Sequence, residues 1–276
     1  MRHLRLFLVA LAATIAALPA WAGATLERVL RTGTLTLATE QDYPPQSFVN
    51  ERSELIGFNI DVARAIAGRL GVTLKPMAVE WETILAGGWD EQWDIAVNSI
   101  TPTRGRSRTL EFPAVYYYAP ASFAVHVASP IRTLPDIDGK IVGTCANCVY
   151  EDYLRGDLSL DALGAPPIAR AVDPLGVRLY PSDAMAFDDL RVDDSGPIRA
   201  VLTTLPTIQV AIRTGYPLRV IEPPVFHEPA AIAIDRGDEE FAAQLAVIVA
   251  GLHADGTLSA LSMKWYGADL SRPPAR

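Results

Sequence analysis

Apolar runs of strand type alternate with amphipathic stretches of helix type from Thr34 onward, and this alternation limits the fold more than any other feature of the chain. Residues 34–39 and 93–100 predict strands, and residues 59–71 and 238–254 predict amphipathic helices. We expect further strands at 73–79, 121–127, 140–144, 198–204, 218–222 and 230–236, and further helices at 81–88, at 150–156 and from Thr257 to Gly267. Strands interleaved with helices indicate an α/β fold with a largely parallel sheet.

The N-terminus has the form of an export signal. A basic start precedes an apolar stretch at 6–18, and residues 20–22 (AWA) supply a small-x-small cleavage pattern. A membrane anchor is the alternative, but the apolar stretch is shorter than the about 20 residues that a spanning helix needs. We therefore predict a signal peptide at 1–22 that is cleaved off. No cysteine follows at a lipid-attachment position, so we expect a soluble periplasmic protein.

The charge of the chain excludes some partners. The formal net charge is −8, and removing Arg2 and Arg5 with the signal takes it to −10. An acidic surface repels phosphate backbones and anionic lipids, so we expect no nucleic-acid binding. Half of the residues (50%) are hydrophobic and 20% are charged, which is typical of a globular protein with ordinary cores.

Several stretches in order resemble the family 3 bacterial extracellular solute-binding proteins, the periplasmic receptors that deliver polar amino acids to ABC transporters. The resemblance covers nearly the whole mature chain, and Asn59 stands where an acidic residue is usual. The stretches that carry it are LTLATEQDYPP (35–45), GFNIDVARAIAGRLG (57–71), WDIAVNSITPTRGR (93–106), GKIVGTCANCVYEDYL (139–154) and ADGTLSALSMKWYG (254–267).

The resemblance implies the type II periplasmic-binding-protein fold, in which two α/β lobes are joined by two crossing strands and hold a ligand in the cleft between them. We place the crossings near 118–122 and 222–228, with Tyr116, Tyr117 and Tyr118 as hinge packing. Lobe 1 then comprises residues 23–119 plus 228–276, and lobe 2 comprises residues 120–227. A monomer that works with the membrane permease of an ABC transporter is implied as well.

By position in the resemblance, Arg106 is the residue that binds the carboxylate of the ligand, because guanidinium is a planar fork for two oxygens. Asn98, Ser99 and Thr101 belong to the same binding loop. Arg104 and Arg108 are expected to be solvated surface charges. The second carboxylate contact would come from the main-chain N–H groups at Cys148 and Val149, where a helix begins and the family usually has Ser-Thr.

The remaining site positions include one clear departure from the family. Tyr43 and Trp81 occupy the ring positions that sandwich the ligand, and Glu40 occupies an acidic position that faces a ligand amine. Thr204 stands where the family usually has the aspartate that holds the α-ammonium group. A hydroxyl accepts a hydrogen bond but does not neutralise charge. The ligand is therefore expected to be an amino acid or a related small amine or carboxylate, with Glu40 available for the ammonium group.

The chain has only two cysteines, Cys145 and Cys148, and in an oxidising compartment we expect them to form a disulfide that stiffens the binding loop. Three alternatives stay open: a reduced buried pair, a thioredoxin-like redox site and a zinc site. A zinc site needs two more ligands, and the histidines show no paired spacing. We expect no metal and no cofactor.

The acidic segment 180–196, which includes Asp183, lacks the ligand spacing of a calcium loop. It is expected to be a solvated connection with helix caps.

The leading prediction for the function of the whole chain is a binding protein without catalysis. The alternative is a periplasmic enzyme on the same scaffold, similar to cyclohexadienyl dehydratase, for which Glu40 is the candidate acid or base.

Overall fold

The computed structural model describes residues 24–161, 168–192 and 195–274, so the predicted signal peptide at 1–22 lies outside the described residues. The helices are α1 (Ala24–Thr32), α2 (Phe58–Leu70), α3 (Trp81–Ala86), α4 (Val149–Arg155), α5 (Asp183–Leu190), α6 (Leu205–Arg213), α7 (Glu239–Ala254) and α8 (Thr257–Tyr266). The strands are β1 (Thr34–Thr39), β2 (Asp42–Tyr43), β3 (Ser47–Val49), β4 (Leu55–Ile56), β5 (Thr73–Ala78), β6 (Ile95–Ile100), β7 (Leu110–His126), β8 (Ile141–Cys145), β9 (Gly176–Tyr180), β10 (Ala200–Thr204) and β11 (Leu218–Asp235).

One sheet of eight strands runs through the molecule in the order β5-β1-β6-β11-β7-β10-β8-β9. Its centre is the antiparallel pair of β7 and β11, which are 17 and 18 residues long and pair from Leu218 opposite His126 to Asp235 opposite Leu110. At one end of this pair, β6 joins β11 and continues into parallel β1 and β5. At the other end, β10 joins β7 and continues into parallel β8 and β9.

The two ends of the central pair carry separate cores, which confirms the two-lobed α/β fold. We call the half with β1, β5 and β6 lobe 1 and the half with β8, β9 and β10 lobe 2. In lobe 1, Ile66 of α2 and Phe241 of α7 are fully buried on one face of the sheet, and Ile84 of α3 is fully buried on the other. In lobe 2, Tyr153 of α4 and Phe187 of α5 are buried on opposite faces. Helices therefore cover both faces of the sheet in each lobe.

Most predicted elements agree with the structure, but the two central strands are longer than predicted. Residues 121–127 are the second half of β7, which begins at Leu110, and the predicted strands 218–222 and 230–236 are the two ends of β11. Prolines inside both strands hide their length, because proline lacks the N–H that a ladder needs. Helix α1, the short sheet β2-β3-β4, strand β9 and helix α5 were not predicted.

No single helix within the described ranges is long and apolar enough to cross a membrane. Helices α7 and α8 reach that length and hydropathy only together, as a pair bent by 71°. Both helices bury apolar side chains in lobe 1, among them Leu245, Val249 and Leu258. Their hydropathy is therefore that of core helices.

The start of α2 depends on Gly57. Its φ of 133° lies outside the range of L-residues, and a Cβ there would meet the carbonyl oxygen of Gln46 at 2.3 Å. The close approach lets Asn59 donate its backbone N–H to that same carbonyl at 2.8 Å. Glycine at position 57 thus fixes α2 against the loop that follows Tyr43.

We expect Gly57→Ala to lower the free energy of unfolding by about 2 to 4 kcal/mol, because it adds both a clash and backbone strain. Gly68→Ala in the same helix is the matched control. A Cβ at Gly68 would meet no atom within 4 Å and the residue has no positive φ, so alanine there should stabilise by about 0.5 to 1 kcal/mol. Urea unfolding of the three proteins checks both signs, and equal effects of the two substitutions would contradict the role of Gly57.

Candidate ligand-binding site

The parallel strands of the two lobes point their carboxyl ends at each other, and a cleft lies between these ends. Ligands of α/β proteins bind at the carboxyl ends of parallel strands. The space between the lining atoms is about 620 Å³, including the part that is open to solvent. The cleft is lined by Glu40, Asp42, Tyr43, Trp81, Asn98, Ser99, Thr101, Arg106, Cys145, Ala146, Cys148, Val149, Tyr150, Pro181, Ser182, Asp183 and Glu228.

Every residue that the sequence proposed for ligand binding lines this cleft except Thr204. Thr204 is buried at the end of β10, where it precedes the first turn of α6, and its hydroxyl has no hydrogen-bond partner among the described residues. The expectation that the segment around Asp183 is a solvated connection was wrong for this residue, because Asp183 is half-buried at the start of α5 and lines the cleft.

Glu40 follows β1 and is held by Asn98 of β6. The Nδ2 of Asn98 donates to Oε2 of Glu40 at 2.7 Å, and Oδ1 of Asn98 accepts from the backbone N–H of Glu40 at 3.0 Å. Burial, together with the neighbouring carboxylates of Asp42, Asp183 and Glu82, raises the pKa of Glu40 to about 7, against the hydrogen bond from Asn98. Asn98 therefore fixes the position of a carboxyl group that stays partly protonated at neutral pH.

Ser99 adopts a left-handed backbone conformation, with a φ of 54°, at the point where β6 meets the cleft. Two tyrosines of β7 hold it there. Its backbone N–H donates to the hydroxyl of Tyr116 at 2.9 Å, and its Oγ accepts from the hydroxyl of Tyr117 at 2.7 Å. Tyr116 in turn donates to Oδ1 of Asn59 at 2.7 Å. Such strain persists only where surrounding contacts over-determine it, as they do here.

Arg106 reaches from the binding loop of lobe 1 to lobe 2. Its guanidinium donates to the carbonyl oxygen of Thr101 at 3.0 Å and to the carbonyl oxygen of Asn147 at 3.0 Å, and its Cζ lies 5.0 Å from the ring centroid of Trp81. Burial lowers the pKa of Arg106 to about 10, so the group remains a cation at neutral pH. These contacts fix the plane of the guanidinium.

The loop between β8 and α4 is closed by a disulfide between Cys145 and Cys148, as the sequence predicted. The bridge encloses Ala146 and Asn147, and Asn147 has a φ of 58°. The backbone N–H of Asn147 donates to Oε2 of Glu151 at 2.9 Å. Because the carbonyl of Asn147 accepts from Arg106, the disulfide loop carries one of the contacts that link the lobes.

Glu228 is a cleft residue that the sequence did not reveal. It is 3% exposed in β11, where it accepts from the hydroxyl of Thr101 at 2.8 Å in lobe 1 and from the hydroxyl of Tyr150 in lobe 2. Burial raises its pKa to about 7, while the two hydroxyl donors and the cation of Arg106 act to lower it. The only signal in the sequence was its place in the predicted crossing at 222–228.

Asp183 is the second cleft carboxylate that the sequence did not reveal. Its Oδ2 accepts from the hydroxyl of Thr203 at 2.8 Å, and its Oδ1 is shielded from solvent without a hydrogen-bond partner in the described part of the chain. Burial, with a smaller contribution from the neighbouring carboxylate of Asp42, raises its pKa to about 6, against the hydrogen bond from Thr203. In the sequence, the two threonines at the end of β10 and the acidic segment at 180–196 were the features that could have indicated this carboxylate.

The lobes also touch outside the cleft lining, so the structure has the closed form. The hydroxyl of Thr207 in lobe 2 donates to the carbonyl of Pro44 in lobe 1 at 3.2 Å. The backbone N–H of Arg104 donates to the carbonyl of Ser159 at 3.2 Å, and that of Asp161 donates to the carbonyl of Pro102 at 3.0 Å. Backbone pairing of this kind depends on the shape of the two loops more than on their side chains.

Within residues 24–161, 168–192 and 195–274, no group of three histidine, cysteine, aspartate or glutamate side chains is arranged to hold a metal ion.

The sequence matches the bacterial extracellular solute-binding proteins, family 3, over residues 35–268. The chain belongs to this family. The resemblance seen in the sequence is thereby confirmed, and so is its consequence that the protein is a solute-binding receptor of the kind that serves ABC transporters.

Individual relatives agree with this assignment. The L-cystine-binding protein TcyJ of Escherichia coli K12 is 29% identical over 250 residues, which cover 90% of this chain and 88% of TcyJ. The L-arginine-binding protein of Pseudomonas aeruginosa is 25% identical over 95% of both chains. The ancestral amino acid-binding protein AncCDT-1, a precursor of cyclohexadienyl dehydratase, has a similar structure with a TM-score of 0.73, at 25% identity and over 88% of this chain and 100% of its own.

The raised pKa of Glu228 predicts how stability changes with pH. The folded state binds the proton of Glu228 more tightly than the unfolded state, with a pKa of about 7 instead of 4.5, so stability is lost as pH rises through this range. Between pH 4.5 and 8, the free energy of unfolding of Glu228→Gln should fall by about 1 to 3 kcal/mol less than that of the unaltered protein. Urea unfolding at a series of pH values, with exposed Glu240→Gln as control, measures the difference. Parallel pH profiles for Glu228→Gln and the unaltered protein would contradict it.

Proposed function

We propose that this receptor binds a free amino acid in the cleft and that Arg106 holds the ligand carboxylate. The observation that carries the proposal is the fixed guanidinium, because it lies over Trp81 and is oriented by two carbonyl oxygens from different lobes. A guanidinium binds a carboxylate through two parallel hydrogen bonds. The cystine-binding and arginine-binding relatives support an amino acid as the ligand.

The other lining residues have complementary roles in this proposal. Tyr43 and Trp81 contact the body of the ligand with their ring faces, where a ligand cation gains about 0.5 to 2 kcal/mol by cation–π attraction. Ser99 and Thr101 offer polar groups beside Arg106. The main-chain N–H groups of Cys148 and Val149 complete the carboxylate site, in place of the hydroxyl donors that the family usually has.

We further propose that closure of the two lobes is the signal that the receptor passes on. Lobe 1 is proposed as residues 23–119 plus 228–276 and lobe 2 as residues 120–227. A ligand that contacts both lobes binds the closed form better and so shifts the population toward it. In this proposal the mature protein is a periplasmic monomer, released by removal of residues 1–22, and its closed form docks on the membrane permease of an ABC transporter.

A binding protein without turnover is the function proposed here, and an enzyme on the same scaffold is the second candidate. The pKa values of Glu40 and Glu228 are about 7, which suits proton transfer, and AncCDT-1 is described as a precursor of cyclohexadienyl dehydratase. Glu228, however, already accepts from Thr101 and Tyr150. Incubation with amino acids and with cyclic carboxylic acids, followed by mass spectrometry, should return each compound unchanged. A new product would establish the enzyme instead.

Arg106→Ala should weaken the binding of any amino acid ligand by at least about 100-fold, because a charge-assisted bidentate contact is lost. Arg106→Lys should lose about 10-fold or more, since an ammonium group does not form the planar fork. Isothermal titration calorimetry measures both. Exposed Arg108→Ala is the matched control and should bind like the unaltered protein. Near-normal affinity in Arg106→Ala, with an unliganded melting temperature that shows a folded protein, would refute the proposed carboxylate site.

Breaking the disulfide should reduce ligand affinity as well as stability. Closure of so short a loop contributes about 2 kcal/mol to stability in the chain-entropy model. The double variant Cys145→Ser/Cys148→Ser should also bind arginine about 10-fold more weakly, because the loop carries the carbonyl of Asn147 that orients Arg106. A reductant should weaken arginine binding to the unaltered protein and leave the double variant unchanged. Equal affinity in all four measurements would contradict a role for the disulfide in binding.

A further inference from the structure

The cleft carries more negative than positive groups. Among its described lining residues, Arg106 is the only cationic side chain, whereas Glu40, Asp42, Asp183 and Glu228 all carry carboxyl groups. A buried charge is costly unless it is paired or hydrogen-bonded. The ligand that fits such a cleft is therefore one that brings positive charge with it.

The carboxyl groups differ in what already binds them. Both oxygens of Glu228 accept from protein hydroxyls, one from Thr101 and one from Tyr150, so this carboxyl group already has its hydrogen-bond partners within the protein. Glu40 accepts from Asn98 through Oε2. Asp183 accepts from Thr203 through Oδ2, whereas its Oδ1 is shielded from solvent and has no partner in the described chain. Asp183 is thus the group whose hydrogen-bonding capacity a ligand has to complete.

We propose that Asp183 binds the α-ammonium group of the ligand in place of residue 204, and that the ligand is an amino acid whose side chain carries a second cationic nitrogen. The proposal rests on the proposed function, since it assumes an amino acid whose carboxylate lies on Arg106. Glu40, with Asp42 beside it at the exposed side of the cleft, binds the second cationic nitrogen.

The geometry explains how Asp183 replaces an acidic residue at position 204. Thr204 faces the interior, away from the cleft lining, and brings no charge. Its neighbour Thr203 donates a hydrogen bond to Asp183, and Asp183 is the first residue of α5, shortly after the end of β9. A carboxylate therefore reaches the end of β10 from a nearby strand-to-helix connection. It is oriented by a hydroxyl from β10 itself.

The same charges separate two ligand classes that the relatives bind. A dibasic amino acid such as arginine has one carboxylate and two cationic nitrogens, which match one guanidinium and two available carboxyl groups. Cystine has two carboxylates, and the second would face a cleft whose described lining residues offer no further cation. Like charges in a desolvated site repel strongly. The cleft therefore favours the dibasic ligand.

The first arm of the test uses the unaltered protein, so it does not depend on the folding of a variant. Calorimetry is carried out with arginine, lysine and ornithine, with the neutral isostere citrulline, with glutamine and with cystine. We expect the best dibasic amino acid to bind at least about 10-fold more tightly than citrulline, glutamine or cystine. Tighter binding of a neutral amino acid or of cystine would overturn the proposal and leave the receptor function intact. Absence of binding to every amino acid would overturn the proposed function as well.

The second arm asks which residue holds the α-ammonium group. Its probe is the α-hydroxy analogue of arginine, in which a hydroxyl replaces the α-ammonium group. The unaltered protein should prefer arginine over this analogue by about 100-fold, and Asp183→Asn should lose most of that preference because the amide carries no charge. Exposed Asp188→Asn in the same helix is the matched control and should keep it. A full preference for arginine in Asp183→Asn would assign the ammonium group to another residue and overturn the proposal.

Discussion

The antiparallel pairing of β7 and β11 determines where everything else in the molecule can lie. Strand β6 is antiparallel to β11 at one end of the pair, and β10 is antiparallel to β7 at the other end. The two parallel sets therefore run in opposite directions along one continuous sheet, and both run toward its middle. Their carboxyl ends, which are the usual place for ligand-binding groups, meet there as a direct result. The cleft follows from strand direction before any side chain is considered.

Inside that cleft, hydrogen bonds within the protein hold the ligand-facing groups in place. Asn98 holds Glu40, the hydroxyls of Tyr116 and Tyr117 hold Ser99, and main-chain carbonyls hold Arg106. Fixing these groups in advance lowers the entropy that binding must overcome. The same burial raises the pKa values of Glu40 and Asp183, because desolvation and neighbouring carboxylates disfavour the charged form of a carboxyl group.

The sequence predicted the fold class well because it depends on local periodicity, and the family resemblance placed the loop of Arg106 in the lining of the cleft, where its role in binding stays a prediction. Regular apolar periodicity marks β1, α2 and β6, and the loop that ends in Arg106 is contiguous in the chain. The long central strands were harder to predict, since prolines interrupt their signal. Asp183 and Glu228 were missed for a different reason: each reaches the cleft through tertiary pairing, from an acidic segment or a proline-rich strand that shows no local mark of a site.

The register shift between the central strands β7 and β11 has a mechanical consequence. Between Ile221 and Phe226 the register of β11 against β7 shifts, and residues 222–225 have no partners in β7. Pro223 and Pro224 fall in this gap and contribute no N–H group. Where the two strands are paired, bending has to break hydrogen bonds between them, whereas residues 222–225 have no such bonds to β7. Local bending of β11 is therefore easiest at residues 222–225, beside the stretch of β7 that pairs with β10.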